Sequence, residues 1–491
     1  MKPTRREFLT ATARASTLLA TSGAIAFHGA ITPSEPQPAA PTKYLPTWES
    51  IKQHPVPDWF HEAKLGLFPV WGIYSVPGWA PPTGELGKVD LNVWFHRNPY
   101  AEWYWNSMKI KDSPTWQRHV ATYGADFQYE DFIPIFNREA KKWDPDKWAD
   151  LFHSAGGKYV VFTTKFHDGY PLWPSRVLNP HRRVDQLAAQ RDYVGDLSQA
   201  VRARGMKMGL YYSGGLDWTF EGAPIASLAD MKLALPQSAE YARYADAHYG
   251  ELIDRYHADI LWNDINYPKL GDLKTIFSDY FARFPEGLVN DRFGVEFSDF
   301  TTPEYTHYRE IASKKWEATR GVGFSFGYNQ AEGPEHCLSV DQLVKLLVDV
   351  VSKNGNLLLA VGPRADGSIP ETQEDRVRAL GKWLRVNGDA IYGTRPWARA
   401  EGRTTDGGEV RFTKKSGSLY AVLVAKPTGT RVAIEFLSLA QSGVVKMLGV
   451  EEHLKWSQDG NNLAITLPDR LPGFSAWSLK ISPQPQDLAH A

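Results

Sequence analysis

Asp264 closes the stretch "ADILWNDINYP" (258–268), in which Ile260, Leu261 and Trp262 run straight into a carboxylate. The same pattern recurs along the chain. His167 and Asp168 follow "FTTKF", Tyr211 and Tyr212 follow "MGL", and Asn290, Asp291 and Arg292 follow "GLV". Each polar group stands at the outlet of a short apolar run, as it would if a buried strand were the pedestal for a working side chain. A carboxylate accompanied by an arginine and neutral polar groups suits acid/base or nucleophilic carboxylate chemistry. No three His, Asp or Glu recur at ligand spacing, and "KFHDG" brings a single histidine to its motif, so no metal and no cofactor is expected. Glycoside hydrolysis is the main reaction class that needs two carboxylates in an aromatic cradle. The 18 Trp and 22 Tyr fit such a cradle, because their flat apolar faces and polar edges match sugar rings, although core packing must account for most of them. Taken alone, Asp264 also reads as a turn cap, His167 as a satisfied buried histidine and Tyr211 as core.

The elements that carry these groups alternate. Apolar β-branched runs at "KLGLFPVWG" (64–72), "KYVVFTTKFHDG" (158–169), "MKMGLYYSGGLDW" (206–218), "ADILWNDINYP" and "EGLVNDR" (286–292) are separated by helical patterns such as "DPDKWADLFHSAG" and "RDYVGDLSQAVRARG". Strand, helix, strand at a spacing of roughly fifty residues predicts parallel strands in a (β/α)8-type TIM barrel over residues 47–397, with chemistry at the C-terminal strand ends. No G-x-G-x-x-G follows any of these strands, which removes the main dinucleotide fingerprint. From residue 398 to 491 short alternating strands between Gly, Asp and Asn turns predict an antiparallel β-sandwich. No aromatic cluster is concentrated there, so bracing the barrel is its expected role.

The 55 basic and 56 acidic residues nearly cancel, so neither nucleic acid nor an anionic membrane is an expected partner. Residues 1–30, with Arg5, Arg6, Phe8 and Leu9 ahead of a weakly apolar stretch, have the form of a twin-arginine export signal, cleaved after Ala26 or Ala30. That stretch is too short to be a dependable membrane span, so the mature protein is expected without one, in the periplasm or secreted. Residues 31–46 read as a Pro-rich linker, and the single Cys337 excludes an intramolecular disulfide.

The order and spacing of "AKLGLFPVWGIYSVPGW", "EWY" (102–104), "TTKFHDGYPLWPS", "LYYSGGLDW", "LWNDINYP", "VNDRFG", "TPEY" and "KWEATRGVGFSFGYNQAEGPEH" resemble the α-L-fucosidases of glycoside hydrolase family 29 from about Trp59 through Trp397. The resemblance implies a retaining double displacement acting on a carbohydrate, with Asp264 as nucleophile and Glu304 of "TPEY" as acid/base, Glu317 of "KWEAT" being the competitor. It nominates Glu102, Trp103, His167, Tyr211 and Arg292 around the sugar, and Trp262 with Phe326 against its C5 substituent. Two positions depart from the family pattern. Val70 in "FPVWG" and Phe166 in "KFHDG" stand where members carry histidines toward the 3- and 4-hydroxyls. Each lost partner for a buried hydroxyl costs about 1–3 kcal/mol. Three expectations therefore stand side by side: an α-L-fucosidase, a related α-L-glycosidase altered at C4 or C5 such as an α-L-glucosidase, and a non-catalytic glycan-binding relative. If neighbouring groups such as Tyr74 or His96 already reach those hydroxyls, fucose stays the glycone. The oligomeric state is not legible from the sequence.

Overall fold

The computed structural model describes residues 44–306 and 308–489. The expected export signal and nearly all of the linker lie outside them. Seven strands form one parallel sheet: β1 (Leu65–Pro69), β2 (Tyr159–Lys165), β3 (Lys207–Ser213), β4 (Ile260–Asp264), β5 (Leu288–Val289), β6 (Trp316–Gly321) and β7 (Gly355–Val361). Their order is β5-β4-β3-β2-β1-β7-β6. Almost every residue in them is buried, which is why they read as apolar runs and not as alternating ones: both faces of the sheet are covered.

The two edges of that sheet, β5 and β6, are joined by a segment too irregular to count as a strand. Asp299 N donates to Val289 O at 2.9 Å, and Asn290 bridges to Phe300 in parallel. On the other side Glu317 N donates to Thr301 O (2.8 Å), Thr319 N to Pro303 O (3.0 Å), and Tyr305 N to Thr319 O (3.1 Å). The segment 300–304 thus takes the eighth place and closes the circle as a (β/α)8-type barrel. Closure removes the sheet edges, so these backbone groups are paired without a long regular strand.

Several helices begin at side-chain caps. Asp144 accepts from Asp146 N ahead of Pro145–Ser154, and Ser339 and Gln342 form a reciprocal capping box ahead of Val340–Ser352. Most of the aromatic content is core. Trp71, for example, lies among Phe136, Trp143, Trp148 and Tyr193 and donates its indole N–H to Arg364 O at 2.8 Å. Past the helix Glu371–Asn387 the chain enters a six-stranded antiparallel sheet beginning at Arg395–Arg403, with a three-stranded sheet beside it and a separate apolar core containing Trp397, Phe412, Val445 and Leu479. This β-sandwich is tied to the barrel by Trp383, whose indole donates to Ala476 O (2.9 Å), and by Arg411, which pairs with Asp349 at 2.7 Å. No helix among the described residues is long and apolar enough to cross a membrane.

Candidate active site

The C-terminal ends of the barrel strands surround a cavity of about 270 Å³. Phe68 and Val70 reach it from the end of β1, Phe166 and His167 from just past β2, Tyr211 from β3, Trp262 and Asp264 from β4, Arg292 from beyond β5, Glu304 from the closing segment and Phe326 from beyond β6. Glu102 and Trp103 enter on the short turn Ala101–Trp103. All lining residues fall between 68 and 326, so the sandwich contributes none. Alternation along β3 sends only one of its adjacent tyrosines inward: Tyr212 turns away and contacts His248 Nδ1 at 3.0 Å.

At the centre Arg292 holds two carboxylates. Its Nη1 donates to Asp264 Oδ1 at 2.9 Å, and its Nη2 pairs with Glu304 Oε2 at 3.0 Å. Burial opposes the guanidinium's charge, yet Glu304 and Asp264 outweigh it and raise its pKa above the usual arginine value. The other oxygen of each carboxylate accepts from a phenol: Asp264 Oδ2 from Tyr211 (2.8 Å) and Glu304 Oε1 from Tyr100 (2.7 Å). Burial, and then the Asp264 charge, push the Tyr211 phenol well above its ordinary value, so it remains a donor. Thr302 fixes the arginine, accepting from Nε (2.9 Å) and, through its carbonyl, from Nη2 (3.2 Å), while Asp291 accepts the Thr302 hydroxyl (2.6 Å). Asp291 therefore acts on Arg292 through Thr302. The guanidinium also lies 4.8 Å from the ring centre of Trp262.

The local backbone explains why these groups converge. β5 is only two residues long because the Asn290 side chain continues its ladder, accepting from Asn263 N (3.1 Å) and donating to Asn263 O (2.9 Å). The Asn263 side chain donates to the carbonyls of Asn266 (2.7 Å) and Arg292 (2.9 Å). These bonds hold Ile265 at a φ of 54°, a left-handed conformation costly for a β-branched residue, directly after Asp264. Gly215 makes that turn possible: a Cβ there would meet Ile265 O at 1.3 Å, and its N–H donates to Asp264 O at 3.0 Å.

His167 has a definable tautomer. Ser213 gives its hydroxyl proton to Leu216 O (2.6 Å), so at 2.6 Å from His167 Nδ1 its oxygen accepts, and Nδ1 carries the hydrogen. Nε2 is then an acceptor, and burial lowers the ring's pKa to about 3, which keeps it neutral. Glu102 accepts from Ser325 Oγ and Gly327 N, both at 2.9 Å, and burial raises its pKa to about 7 despite them. Glu317 does not line the cavity. It is fully buried and accepts from Tyr159 OH and from Trp262 Nε1 (2.9 Å), which makes it a support for the Trp262 ring. Val70 and Phe166 are apolar wall, Phe166 lying 5.8 Å from Tyr211 and 5.2 Å from Tyr74, and neither Tyr74 nor His96 lines the cavity. Tyr100 and Thr319 had no local signal in the sequence. Thr319 lines the cavity with a buried hydroxyl that has no partner among the described residues, a group that a ligand hydroxyl would satisfy.

A closed parallel barrel with two carboxylates on one guanidinium, in an aromatic-walled cavity at the strand ends, defines a barrel glycoside hydrolase. Comparison narrows the class. The model of the alpha-L-fucosidase family matches residues 31–389, and that of the alpha-L-fucosidase C-terminal domain matches residues 404–482. Rat tissue alpha-L-fucosidase is 33% identical over 462 residues, covering 90% of this chain and 93% of the relative. Thermotoga maritima alpha-fucosidase in complex with fucose is 49% identical with a TM-score of 0.82, covering 89% of this chain and 100% of that one. The same enzyme in complex with a mechanism-based inhibitor is 49% identical with a TM-score of 0.83, covering 89% and 99%. The chain belongs to the α-L-fucosidase family.

The buried carboxyl of Glu102 carries a pH signature. The folded protein keeps its proton to about pH 7, whereas the unfolded chain releases it near 4.5, so this group's contribution to stability falls as pH rises through that window. The fall is on the order of 3 kcal/mol for such a shift. Glu317, also raised to about 7, and Glu332, raised to about 8, slope the same way. Glu102→Gln should therefore reduce, without abolishing, the loss of Tm between about pH 5 and 7 in thermal melts. A slope identical to the wild type would contradict the buried protonated carboxyl.

Proposed function

We propose that the protein is a retaining α-L-fucosidase that removes terminal α-L-fucosyl groups by double displacement, with Asp264 as nucleophile and Glu304 as acid/base. The observation that carries the assignment is the single guanidinium of Arg292 shared by these two carboxylates inside the cavity. In the first step Asp264 attacks the anomeric carbon while Glu304 gives a proton to the departing oxygen. Forming the ester consumes the charge on Asp264, and the Arg292 charge then falls on Glu304 alone. In its second role Glu304 takes a proton from the water that cleaves the ester. Tyr211 and Arg292 keep Asp264 aimed, and the neutral acceptor His167, Glu102 and Trp103 are assigned to the sugar's hydroxyl side, with Trp262 and Phe326 at its C5 substituent. Glu317 is assigned to holding Trp262.

Asp264→Gly should lower kcat at least a hundredfold with the fold intact, and added azide should restore part of it as an external nucleophile. Glu304→Ala should impair fucosides with poor leaving groups far more than activated aryl fucosides, because good leaving groups need little protonation. Should Glu317→Ala alone show that leaving-group dependence, the two glutamates exchange roles.

Val70 and Phe166 are the observation behind the second reading, an α-L-glycosidase altered at C4 or C5, but each relative named above is a fucosidase. We expect the aryl α-L-fucoside to be cleaved faster than the aryl α-L-glucoside. Val70→His with Phe166→His should raise fucoside kcat/KM roughly tenfold to a hundredfold, at about 1 kcal/mol per restored hydrogen bond. A wild type that prefers the glucoside would move the assignment to the altered-pocket enzyme.

The paired Arg5 and Arg6 ahead of an apolar stretch support export by the twin-arginine route to the periplasm or medium. Changing both to lysine should leave the protein in the cytoplasm in cell fractionation. A wild-type chain found in the cytoplasm with residues 1–30 attached would exclude that route.

A further inference from the structure

The most exposed residues of the catalytic cavity are apolar, and of its polar groups only Arg292 and Glu304 are partly exposed. Glu102, His167, Tyr211 and Asp264 are deeply buried, whereas the most exposed lining side chains are leucines: Leu228 at 54% and Leu91 at 38%. Leu86, Met231 and Ile265, all partly buried, complete an outer wall without a polar side-chain atom. Two short helices present it. In Leu91–His96 the apolar residues Leu91, Trp94 and Phe95 fall at i, i+3 and i+4, on one face, and all three line the cavity. In Leu228–Leu233 the cavity residues are Leu228 and Met231, again i and i+3, and the Ser227 side chain caps this helix by accepting from Asp230 N. Exposed apolar residues gathered at the mouth of a site, and not scattered singly, mark a surface that something covers.

The acid/base indicates what covers it. Trp94 packs edge-on to Tyr100 with ring centres 5.0 Å apart, and the Tyr100 hydroxyl donates to Glu304 Oε1 at 2.7 Å. The helix Leu91–His96 therefore flanks the carboxyl that protonates the leaving oxygen, and the group attached to that oxygen emerges along its apolar face. We infer that the leucine-bearing helices Leu91–His96 and Leu228–Leu233 form an aglycone seat that selects leaving groups presenting an aromatic or alkyl surface next to the glycosidic oxygen. The inference rests on the fucosidase reading of the cavity. It adds a specificity determinant outside the sugar pocket, in which Leu91, Leu228 and Met231 lend apolar area to the transition state through the leaving group.

The test compares benzyl and methyl α-L-fucoside, whose leaving alcohols have similar acidity, so that the ratio of their kcat/KM values reports contact and not chemistry. The full-length enzyme should favour the benzyl compound roughly tenfold or more, the gain expected from covering part of one ring. Leu228→Asn with Met231→Asn should bring the ratio toward one, and Leu91→Asn should lower it independently. Because each ratio is taken within one protein, a change in basal rate or active fraction cancels. Leu228→Ala, at a position more than half exposed, serves if the double variant fails to fold. A wild-type ratio near one, or a ratio unchanged in every variant, would overturn the seat while the fucosidase reading stands. No hydrolysis of methyl, benzyl or aryl α-L-fucoside would overturn that reading and the seat with it.

Discussion

One guanidinium between two carboxylates is the constraint from which the rest of the active site follows. Two like charges brought close enough to act on one anomeric carbon repel each other, and burial raises the cost of both. Arg292 removes the repulsion by bonding one oxygen of each, and Tyr211 and Tyr100 satisfy the remaining oxygens. Each oxygen of the two carboxyl groups is thereby matched to a donor. A half-buried arginine lacking either partner would itself be costly, so the three groups depend on one another.

That dependence dictates features of the fold that look like irregularities. Arg292 stands opposite Asp264 from the turn beyond the next strand, so β5 stops after two residues and the Asn290 amide does the pairing that a third would have done. Glu304 must approach from the far side of Arg292, and the barrel provides for this by making its eighth strand the bridged segment 300–304. The same segment delivers Thr302 to the guanidinium. Closing the sheet and placing the second carboxylate are one structural event here, which explains why a regular strand is absent at that point.

What could be read from the sequence was what is local. Apolar runs ending in polar clusters disclose β1 to β4, the helices between them and the placement of Asp264, His167 and Arg292 at or beyond strand ends, because an apolar run and the polar group that closes it are written within ten residues. Tyr100 was not legible: its partner is Glu304, 204 residues away, and "NPY" has no chemistry of its own. Thr302 and the Asn263–Asn290 pair are silent for the same reason, since each acquires its role from a residue on another segment. Glu317 shows the reverse case. Its "KWEAT" context made it a credible acid, and only its burial against Tyr159 and Trp262 separates a supporting carboxyl from one facing the cavity.

The apolar wall at Val70 and Phe166 changes how the sugar can be held, not whether chemistry can occur. Polar groups that remain there include Glu102, Trp103, His167, the Arg292–Asp264–Glu304 set and the hydroxyl of Thr319, which has no partner among the described residues. Phe166 is held by Tyr211, the same ring that donates to Asp264 and lies 5.5 Å from Trp262, so the wall and the nucleophile share a support. A residue put at 166 therefore acts on Asp264 through Tyr211 as well as on any hydroxyl it faces. The cavity wall and the alignment of Asp264 are thus coupled along this side. The two positions are therefore not equivalent: Phe166 stacks on the tyrosine that donates to Asp264, and Val70 lines the cavity from the end of β1.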